Sequence, residues 1–459
     1  RMALSVRQAA KNKGKEMAAE RRTQDWLAEP VQRIAQDAKS PIYILAATQT
    51  RLADVATGEV VASPNDIARL GFAIAAGVKG EAIVGLDDDA KAFAQTIADT
   101  LKAAKKPLVI SGTSLQDPAI MEAAAQVAQN LGNAGLTLTV PEVNSMGLAI
   151  LGGNSLEQAF AQDYDTVVIV ENDLYRRLPA KQVDAALAKA KNVIVLDHSE
   201  TETVKKANIV LSAASFAEGD GTVVSQEGRA QRFYQVYDPS YYKPELAIKE
   251  SWRWLHAIET GVKGKAISWT VLDDVIESVA KNVPALEAIQ DVAPDAGFRV
   301  HGLKVAREPR RYSGRTAMRA PLSIHEPKQP TDKDSALTFS MEGYVGNQTP
   351  SALVPFAWSA GWNSPQAWNK FQENVGGSLK GGDSGVRLFD RLAKRPARSF
   401  VAPTPVLVNA DSFRLVPMHH IFASGEFTVK TPAMESRIPE AMFAVGEQDA
   451  ARLNVQDGQ

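Results

Sequence analysis

The sequence Thr166-Val167-Val168-Ile169-Val170 decides the fold class, together with its counterpart Asn192-Val193-Ile194-Val195-Leu196 farther along the chain. Both runs are continuously apolar rather than alternating, which is typical of strands buried on both faces. A helical pattern over residues 179–190 separates them, as in a right-handed strand–helix–strand crossover. We therefore predict an α/β fold with a doubly wound, mostly parallel sheet.

The same alternation of strands and helices extends over residues 41–215. Further strands are predicted at Ile42–Ala46, Pro107–Ser111 and Leu136–Val140, with helices at 66–76, 87–105 and 117–131. Pro118 near the start of the last helix and Gly132 after its end are typical start and stop signals. Two amphipathic helices are predicted later in the chain, at Ala247–Glu259 and Trp269–Lys281.

Composition and pattern divide the chain into six predicted segments. They are a helical N-terminal segment (1–40), a partial α/β domain (41–105), a Rossmann-like α/β domain (106–216), a glycine-rich return segment with the amphipathic helices (217–298), a basic, Pro/Trp-rich extended arm (299–400) and the truncated start of a β-barrel (401–459). The barrel prediction rests on apolar runs at Val406–Asn409, Phe413–Val416 and Met442–Val445 and a helical turn at Asp449–Leu453. The arm favours docking on an acidic partner over binding an anion or nucleic acid, because only Tyr312 accompanies its charge over residues 299–319.

The overall composition excludes several classes of function. The 51 basic and 53 acidic residues give a net charge of −2, so no global field attracts nucleic acid or an anionic membrane. The absence of cysteine excludes disulfides, thiolate zinc sites and cysteine-ligated iron–sulfur clusters within this stretch. The longest apolar runs, such as Gly71–Val78, are far shorter than the ~20 residues that span a bilayer.

Sequence motifs alone indicate no enzyme. Glycine-rich nucleotide loops, a Gly-x-Ser-x-Gly elbow and a His-Glu-x-x-His metal motif do not occur. The first 22 residues carry seven basic side chains, as a transit peptide would. We favour the alternative interpretation, a solvated helix within a longer parent chain. We therefore predict no catalytic residue and no metal ligand in this stretch.

Polar residues follow three of the predicted strands, where ligands bind in parallel sheets. Glu171-Asn172-Asp173 follows one strand, and Asp197 to Thr203 follows the next. After a further strand comes the glycine-rich run Ala217 to Gln231, whose closely spaced glycines, acids and arginine indicate a tight backbone approach to something polar. This edge is the candidate ligand site of the chain.

The run from Asp197 to Gln231 resembles the signature of the molybdopterin oxidoreductase superfamily. The shared pattern is an aspartate ending a strand, then Thr-Glu-Thr, an acid before Gly-Thr, and Glu-Gly-Arg-x-Gln. The positions that match give the candidate pocket residues Asp197, Thr201, Thr203, Glu218, Gly221, Thr222, Glu227, Gly228, Arg229 and Gln231. Ser212 and Ser225 depart from the pattern, which places a proline and an asparagine there.

Other runs resemble a narrower family, the large iron–sulfur subunits of bacterial NADH:quinone oxidoreductase, or respiratory complex I. They are Ala213–Thr222, Arg229–Phe233, Gln235–Pro239, Glu250–His256 and Pro417–Phe422. The resemblance covers about residues 40–459 and the C-terminal half of such a subunit. It implies a subunit that carries electrons from NADH and FMN through 2Fe-2S and 4Fe-4S clusters toward quinone, coupled to proton translocation.

The resemblance also implies that the two halves of the subunit have different roles. The cluster ligands are expected N-terminal to Arg1, and this segment is expected to be cofactor-free, non-catalytic and structural. The expected partners are the NADH/FMN-binding subunit and cluster-bearing neighbours of the peripheral arm, at the cytoplasmic face of the inner membrane, without nucleic acid and without membrane insertion.

Two alternatives stay open at this point. One is an active molybdopterin enzyme of the formate dehydrogenase or nitrate reductase type, in which Asp197, Thr222, Glu227 and Arg229 would hold the pterin nucleotide. The other is an anion or nucleic-acid binder that uses the basic arm. On the scaffold interpretation, Asp197, Glu218, Glu227 and Arg229 form hydrogen bonds and ion pairs that close the former pocket, while Gly219, Gly221 and Gly228 provide turns.

Overall fold

The computed structural model describes residues 2–25, 27–265, 268–292, 295–297, 339–340, 343–344, 385–389, 397–406, 412–418, 422 and 425–458. The chain divides into two compact units, the first formed by residues 1–141 and 397–459, the second by residues 142–396. Most of the predicted arm at 299–400, and all but Val406 of one predicted barrel strand, lie outside the described residues. The finer domain boundaries stay predictions.

The first unit consists of helices with two small parallel sheets. Its elements before residue 141 are α1 (Met2–Ala10), α2 (Asn12–Glu20), α3 (Ala28–Ala35), β1 (Tyr43–Ala46), β2 (Gly58–Val61), α4 (Pro64–Lys79), α5 (Asp88–Ala103), β3 (Leu108–Gly112), α6 (Pro118–Leu131) and β4 (Gly135–Thr139). Strand β1 pairs with β2, and β3 with β4, both in parallel. Apolar side chains of α4, α5 and α6 form the core, joined by partly buried residues of β1 and β3.

Capping residues define the ends of the core helices, and the proline and glycine around α6 match the sequence prediction. The Ser63 hydroxyl accepts a hydrogen bond from the Asp66 N–H at 3.2 Å, which caps the start of α4. Asp117 caps α6 in the same way, with Pro118 as the first helical residue. Gly132 ends α6 with φ +73°, a backbone conformation that favours glycine.

The second unit contains the strand–helix–strand unit predicted from the sequence. Its elements are α7 (Ser145–Leu151), α8 (Leu156–Phe160), β5 (Thr166–Val170), α9 (Ala180–Leu187), β6 (Asn192–Asp197), β7 (Ile209–Ser212), β8 (Gly221–Val224), β9 (Arg229–Phe233), α10 (Pro239–Tyr242), α11 (Ser251–Lys263), α12 (Leu272–Asn282), β10 (Phe339–Ser340), β11 (Gly343–Tyr344) and β12 (Val386–Arg387). Short 3₁₀ turns lie at Leu174–Arg176, Val204–Lys206 and Pro284–Asp291.

Strands β5, β6 and β7 form one parallel sheet in that order, with Val168 opposite Ile194 and Ile194 opposite Ile209. One face of β5 and β6 is buried against α9, with Val193 and Val195 in the core. The predicted α/β class with parallel sheets is thus confirmed.

Strands β8, β9 and β12 form a second, antiparallel sheet with β9 in the centre. Helix α12, the Pro284–Asp291 turn and side chains of β8 and β9 share a core. Helix α11 begins at Ser251 rather than Ala247, because the Lys249 carbonyl accepts a hydrogen bond from the Ala214 N–H at 2.8 Å. The backbone before the helix is therefore used in extended pairing.

The C-terminal part of the first unit contains α13 (Glu426–Val429), a 3₁₀ turn at Pro432–Arg437 and α14 (Glu447–Leu453). Helix α14 includes the predicted helical turn. The strands predicted at Phe413–Val416 and Met442–Val445 are wrong, since both segments lack strand structure. Their backbones pair with no strand of the described residues, and Phe443 is 81% exposed. The start of a β-barrel is therefore not confirmed.

An extended segment, residues 398–406, lies along the helices of the first unit and is called the strap below. Amide side chains hold it by hydrogen-bonding to its backbone, much as a neighbouring strand would. The bonds join Gln129 to the N–H and C=O of Arg398, Gln126 to the N–H of Phe400, and Asn65 to the C=O of Thr404 and the N–H of Val406, at 2.9–3.3 Å. The strap therefore completes a unit whose first part ends at residue 141.

Among the helices of the described ranges, none combines the length and the hydropathy needed to cross a lipid bilayer.

Candidate functional site

Thr203, the last residue of the Thr-Glu-Thr run, is completely buried beyond the carboxyl end of β6. Its hydroxyl accepts a hydrogen bond from the Leu174 N–H and donates one to Asp173 Oδ1, both at 2.8 Å. Asp173 Oδ1 also accepts a bond from the Tyr175 N–H at 3.2 Å and so caps the 3₁₀ turn after β5. The Thr203 hydroxyl thus joins the segments that follow two neighbouring strands.

Asp197 and Thr201 lie at the same edge of the sheet and are also buried. The Asp197 carboxylate accepts a hydrogen bond from the Ser199 N–H at 3.1 Å and lies 3.5 Å from His198 Nδ1. The Thr201 hydroxyl accepts one from the Val204 N–H at 3.2 Å. These contacts fold the chain tightly after β6.

Glu218 closes the turn that follows β7. Its Oε2 accepts a hydrogen bond from the Ser215 N–H at 2.8 Å, and its backbone carbonyl accepts one from Gln235 Nε2 at 2.9 Å. The acid before Gly-Thr is therefore a turn-forming residue in this chain.

Gly221 and Thr222 belong to β8, and Gln231 belongs to β9, opposite Val223. A Cβ atom at Gly221 would lie 2.2 Å from the Phe233 ring on the neighbouring strand, so this close approach requires glycine. Thr222 faces Arg232 across the hairpin, and its hydroxyl oxygen is buried without a hydrogen-bond partner in the part of the chain that the structure describes. Gln231 is exposed.

Glu227, Gly228 and Arg229 form the turn between β8 and β9. Glu227 accepts a hydrogen bond from Arg229 Nε at 3.1 Å and one from Arg387 Nη2 on β12 at 3.0 Å. Partial burial alone would raise the pKa of the Glu227 carboxyl, but the hydrogen bond from Arg229 and the charges of both arginines outweigh it and lower this pKa. Gly228 has φ +73°, and Phe389 packs against it.

Arg232 is a buried charge that the sequence analysis missed. Its side chain is 3% exposed and its Nη1 donates to Asp273 Oδ1 at 2.6 Å, while Nε and Nη2 have no hydrogen-bond partner among the described residues. The only sequence signal is its alternation with Ala230, which places both side chains on the core face of β9. Arg387 and Phe389 were missed as well, because their contacts depend on distant parts of the chain.

The structure brings the ten candidate residues into two groups with a turn between them. Asp197, Thr201 and Thr203 lie at the edge of the parallel sheet, while Gly221, Thr222, Glu227, Gly228, Arg229 and Gln231 lie on the β8–β9 hairpin, and Glu218 forms the turn after β7.

A pterin nucleotide would need free backbone amides, cations or acids at these positions. Thr203, Glu218, Glu227 and Arg229 direct their polar groups at the chain itself. These four residues are therefore engaged within the chain and do not present their polar groups to a cofactor in this structure. Within the described ranges, no group of three or more His, Cys, Asp or Glu side chains is arranged to hold a metal ion.

Comparison with known proteins supports the resemblance seen in the sequence. Residues 84–257 match the molybdopterin oxidoreductase family model. The whole chain aligns with the G subunit of NADH-quinone oxidoreductase from Pseudomonas putida, with 51% identity over 468 residues. All of the chain is thus similar to about half of this G subunit.

Two further relatives carry the same name. The chain is 47% identical to the G subunit of Escherichia coli K12 over 471 residues and 46% identical to that of Salmonella typhimurium over 468 residues. In each case all of the chain aligns with 52% of the relative, so it spans about half the length of the curated relatives it matches. The predicted resemblance to part of a large complex I subunit is confirmed.

Proposed function

We propose that the chain is the cofactor-free, molybdopterin-oxidoreductase-like part of a G subunit in NADH:quinone oxidoreductase. The complete subunit would carry electrons from NADH and FMN through iron–sulfur clusters toward quinone, coupled to proton translocation by the complex. The observation that carries this proposal is identity of 46–51% with three such G subunits along the whole chain.

Within that subunit, this chain would act as a scaffold rather than an electron carrier. Iron–sulfur clusters are held mainly by cysteine thiolates, and this stretch contains no cysteine. The 2Fe-2S and 4Fe-4S clusters would therefore lie in the other half of the subunit, and this half would hold that part in position. Electron transfer within the complex requires such fixed positions.

The hydrogen bonds that the candidate pocket residues form within the chain support the scaffold proposal over an active molybdopterin enzyme. Thr203 bonds to Leu174 and Asp173, and Glu227 bonds to Arg229 and Arg387. These contacts connect separate segments of the chain, which is a structural role. The candidate residues are thus proposed to maintain the shape of the fold without catalysing a reaction.

We further propose the neighbours and location of the complete protein. Its partners would be the NADH/FMN-binding subunit and cluster-bearing subunits of the peripheral arm, at the cytoplasmic face of the inner membrane. Residues 401–459 would form the last of the proposed domains, without the strands predicted at 413–416 and 442–445. The six segments of the sequence analysis are retained as proposed domains.

The test uses the full-length subunit in a bacterial host whose own G subunit has been deleted. We expect the full-length protein to restore NADH:quinone activity and the purified complex to contain iron but no stoichiometric molybdenum or tungsten. A variant that lacks the counterpart of this chain should fail to assemble. One molybdenum or tungsten per subunit, together with extracted pterin, would instead support a formate dehydrogenase or nitrate reductase type of enzyme.

A further inference from the structure

Strand β12 joins the β8–β9 hairpin from a distant part of the chain. Val386 pairs with Ala230 and Arg387 with Arg229 in antiparallel register, about 156 residues away in sequence. The Leu388 N–H continues the pairing by donating to the Gly228 carbonyl at 2.8 Å. The free edge of β9 is thus occupied by a short extended peptide of the same chain.

Charged side chains hold this peptide at its start and at its centre. Arg387 Nη2 donates to Glu227 Oε2 at 3.0 Å, while Glu227 Oε1 accepts from Arg229 Nε at 3.1 Å. Arg229 Nη1 in turn donates to the Gly385 carbonyl at 3.3 Å. The acid and the base of the Glu-Gly-Arg run therefore both contact residues 385–389.

Two glycines allow the close approach of the strands. A Cβ atom at Gly228 would lie 2.1 Å from Cδ2 of Phe389, so the aromatic ring uses the space that the missing side chain leaves. Gly385 has φ +100°, and a Cβ atom there would lie 1.9 Å from the Ala230 carbonyl oxygen. Larger residues would force the two segments apart at either position.

We propose that the Glu227-Gly228-Arg229 turn is a peptide-binding site, occupied in this protein by its own residues 385–389. Its ligand class is an extended peptide that adds a strand to β9, with a cation for Glu227 and an aromatic ring for Gly228. This is strand addition within one chain, where main-chain bonds provide binding and side chains provide selectivity. A nucleotide at this turn would compete for the same atoms.

This inference does not depend on the proposed function, because it rests only on contacts within the second unit. It assigns a positive role to the Glu-Gly-Arg run, which holds β12 against β9 although the two strands are far apart in the sequence. The same contacts account for the poor fit of the turn to a pterin nucleotide.

Hydrogen exchange followed by mass spectrometry tests the proposal on the full chain. In Phe389→Ala, the amide of Leu388 should exchange about tenfold faster than in the wild type, because its strand opens more often. Arg387→Gln should give up to about fivefold faster exchange, the range expected for a half-exposed ion pair. Peptides from β5 and β6 should exchange as in the wild type.

A matched control and a double variant make the test specific. Lys189→Gln removes an exposed ion pair with Asp163 in the same unit and should leave exchange at Leu388 unchanged. In the double variant Glu227→Gln with Arg387→Gln, the Leu388 amide should exchange no faster than in Glu227→Gln alone, because both substitutions break the same contact.

Three results would overturn the proposal. They are unchanged exchange at Leu388 in Phe389→Ala, purely additive effects of the Glu227 and Arg387 changes, or equally faster exchange in β5 and β6. The last result would show that these residues support the whole unit and not a site for one peptide.

Discussion

The fully buried hydroxyl of Thr203 offers the sharpest test of the structural role assigned to the candidate pocket. Thr203→Val keeps the shape of the side chain but removes both of its hydrogen bonds, to the Leu174 N–H and to Asp173. Leaving the buried Leu174 N–H without an acceptor costs roughly 1–3 kcal/mol. The bond to Asp173 adds less, because this carboxylate keeps the Tyr175 N–H as a partner. We expect a total loss of about 2–4 kcal/mol in the free energy of unfolding.

Thr203→Ser is the matched control, since it keeps the hydroxyl and removes only one methyl group. Its expected cost is about 1 kcal/mol, the value for one buried methylene-sized group. Hydrogen exchange of peptides from β5 and β6 is the suitable assay, because the two compact units can unfold in separate transitions. If Thr203→Val proves as stable as Thr203→Ser, the two hydrogen bonds do not hold this edge of the sheet and the reasoning fails.

Three further predictions concern the same unit. Thr222→Val should leave stability unchanged or raise it by up to about 1 kcal/mol in the same exchange assay, because the hydroxyl it removes is buried without a partner among the described residues. A clear loss of stability would instead reveal a hydrogen bond to this hydroxyl. Burial, together with the hydrogen bond to Asp184, raises the pKa of Tyr175 from 10.0 to about 12. The contribution of Tyr175 to stability should therefore be complete below pH 10 and lost as the pH rises through about 12. The ultraviolet titration difference between wild type and Tyr175→Phe measures this pKa, and ionisation near pH 10 would contradict the prediction. Arg229→Ala should reduce the amount of assembled complex while leaving NADH turnover per assembled complex unchanged, and a selective loss of turnover would indicate a catalytic role.

Local patterns were sufficient to predict most helices and all of the parallel strands except β2. Continuous apolar runs locate β5 and β6, and the proline and glycine around α6 locate its ends. Helix α12 begins three residues later than predicted, because the Asp274 carboxylate accepts bonds from the N–H groups of Thr270 and Val271 and caps the helix there. Such capping shifts an end by a few residues without changing the element.

Contacts between distant segments could not be predicted from one sequence. The Glu-Gly-Arg run was identified as a candidate site, but its partner β12 is too short and too far along the chain to show a pattern of its own. The predicted strands near the C-terminus failed for a related reason, since an apolar run forms a strand only where another backbone pairs with it. Arg232 was missed because its alternation with Ala230 is a weak signal, and its buried ion pair with Asp273 joins distant segments of the chain.

The strap has a consequence for the order in which the protein is made. Asn65 emerges from the ribosome 341 residues before Val406, the residue whose amide it binds. The first unit therefore stays incomplete until translation has passed through the whole second unit. During this time the sides of α4 and α6 that the strap covers are exposed. At ~5–20 residues per second this delay lasts from about 17 to 70 seconds, long enough for a chaperone to shield the exposed helices during synthesis.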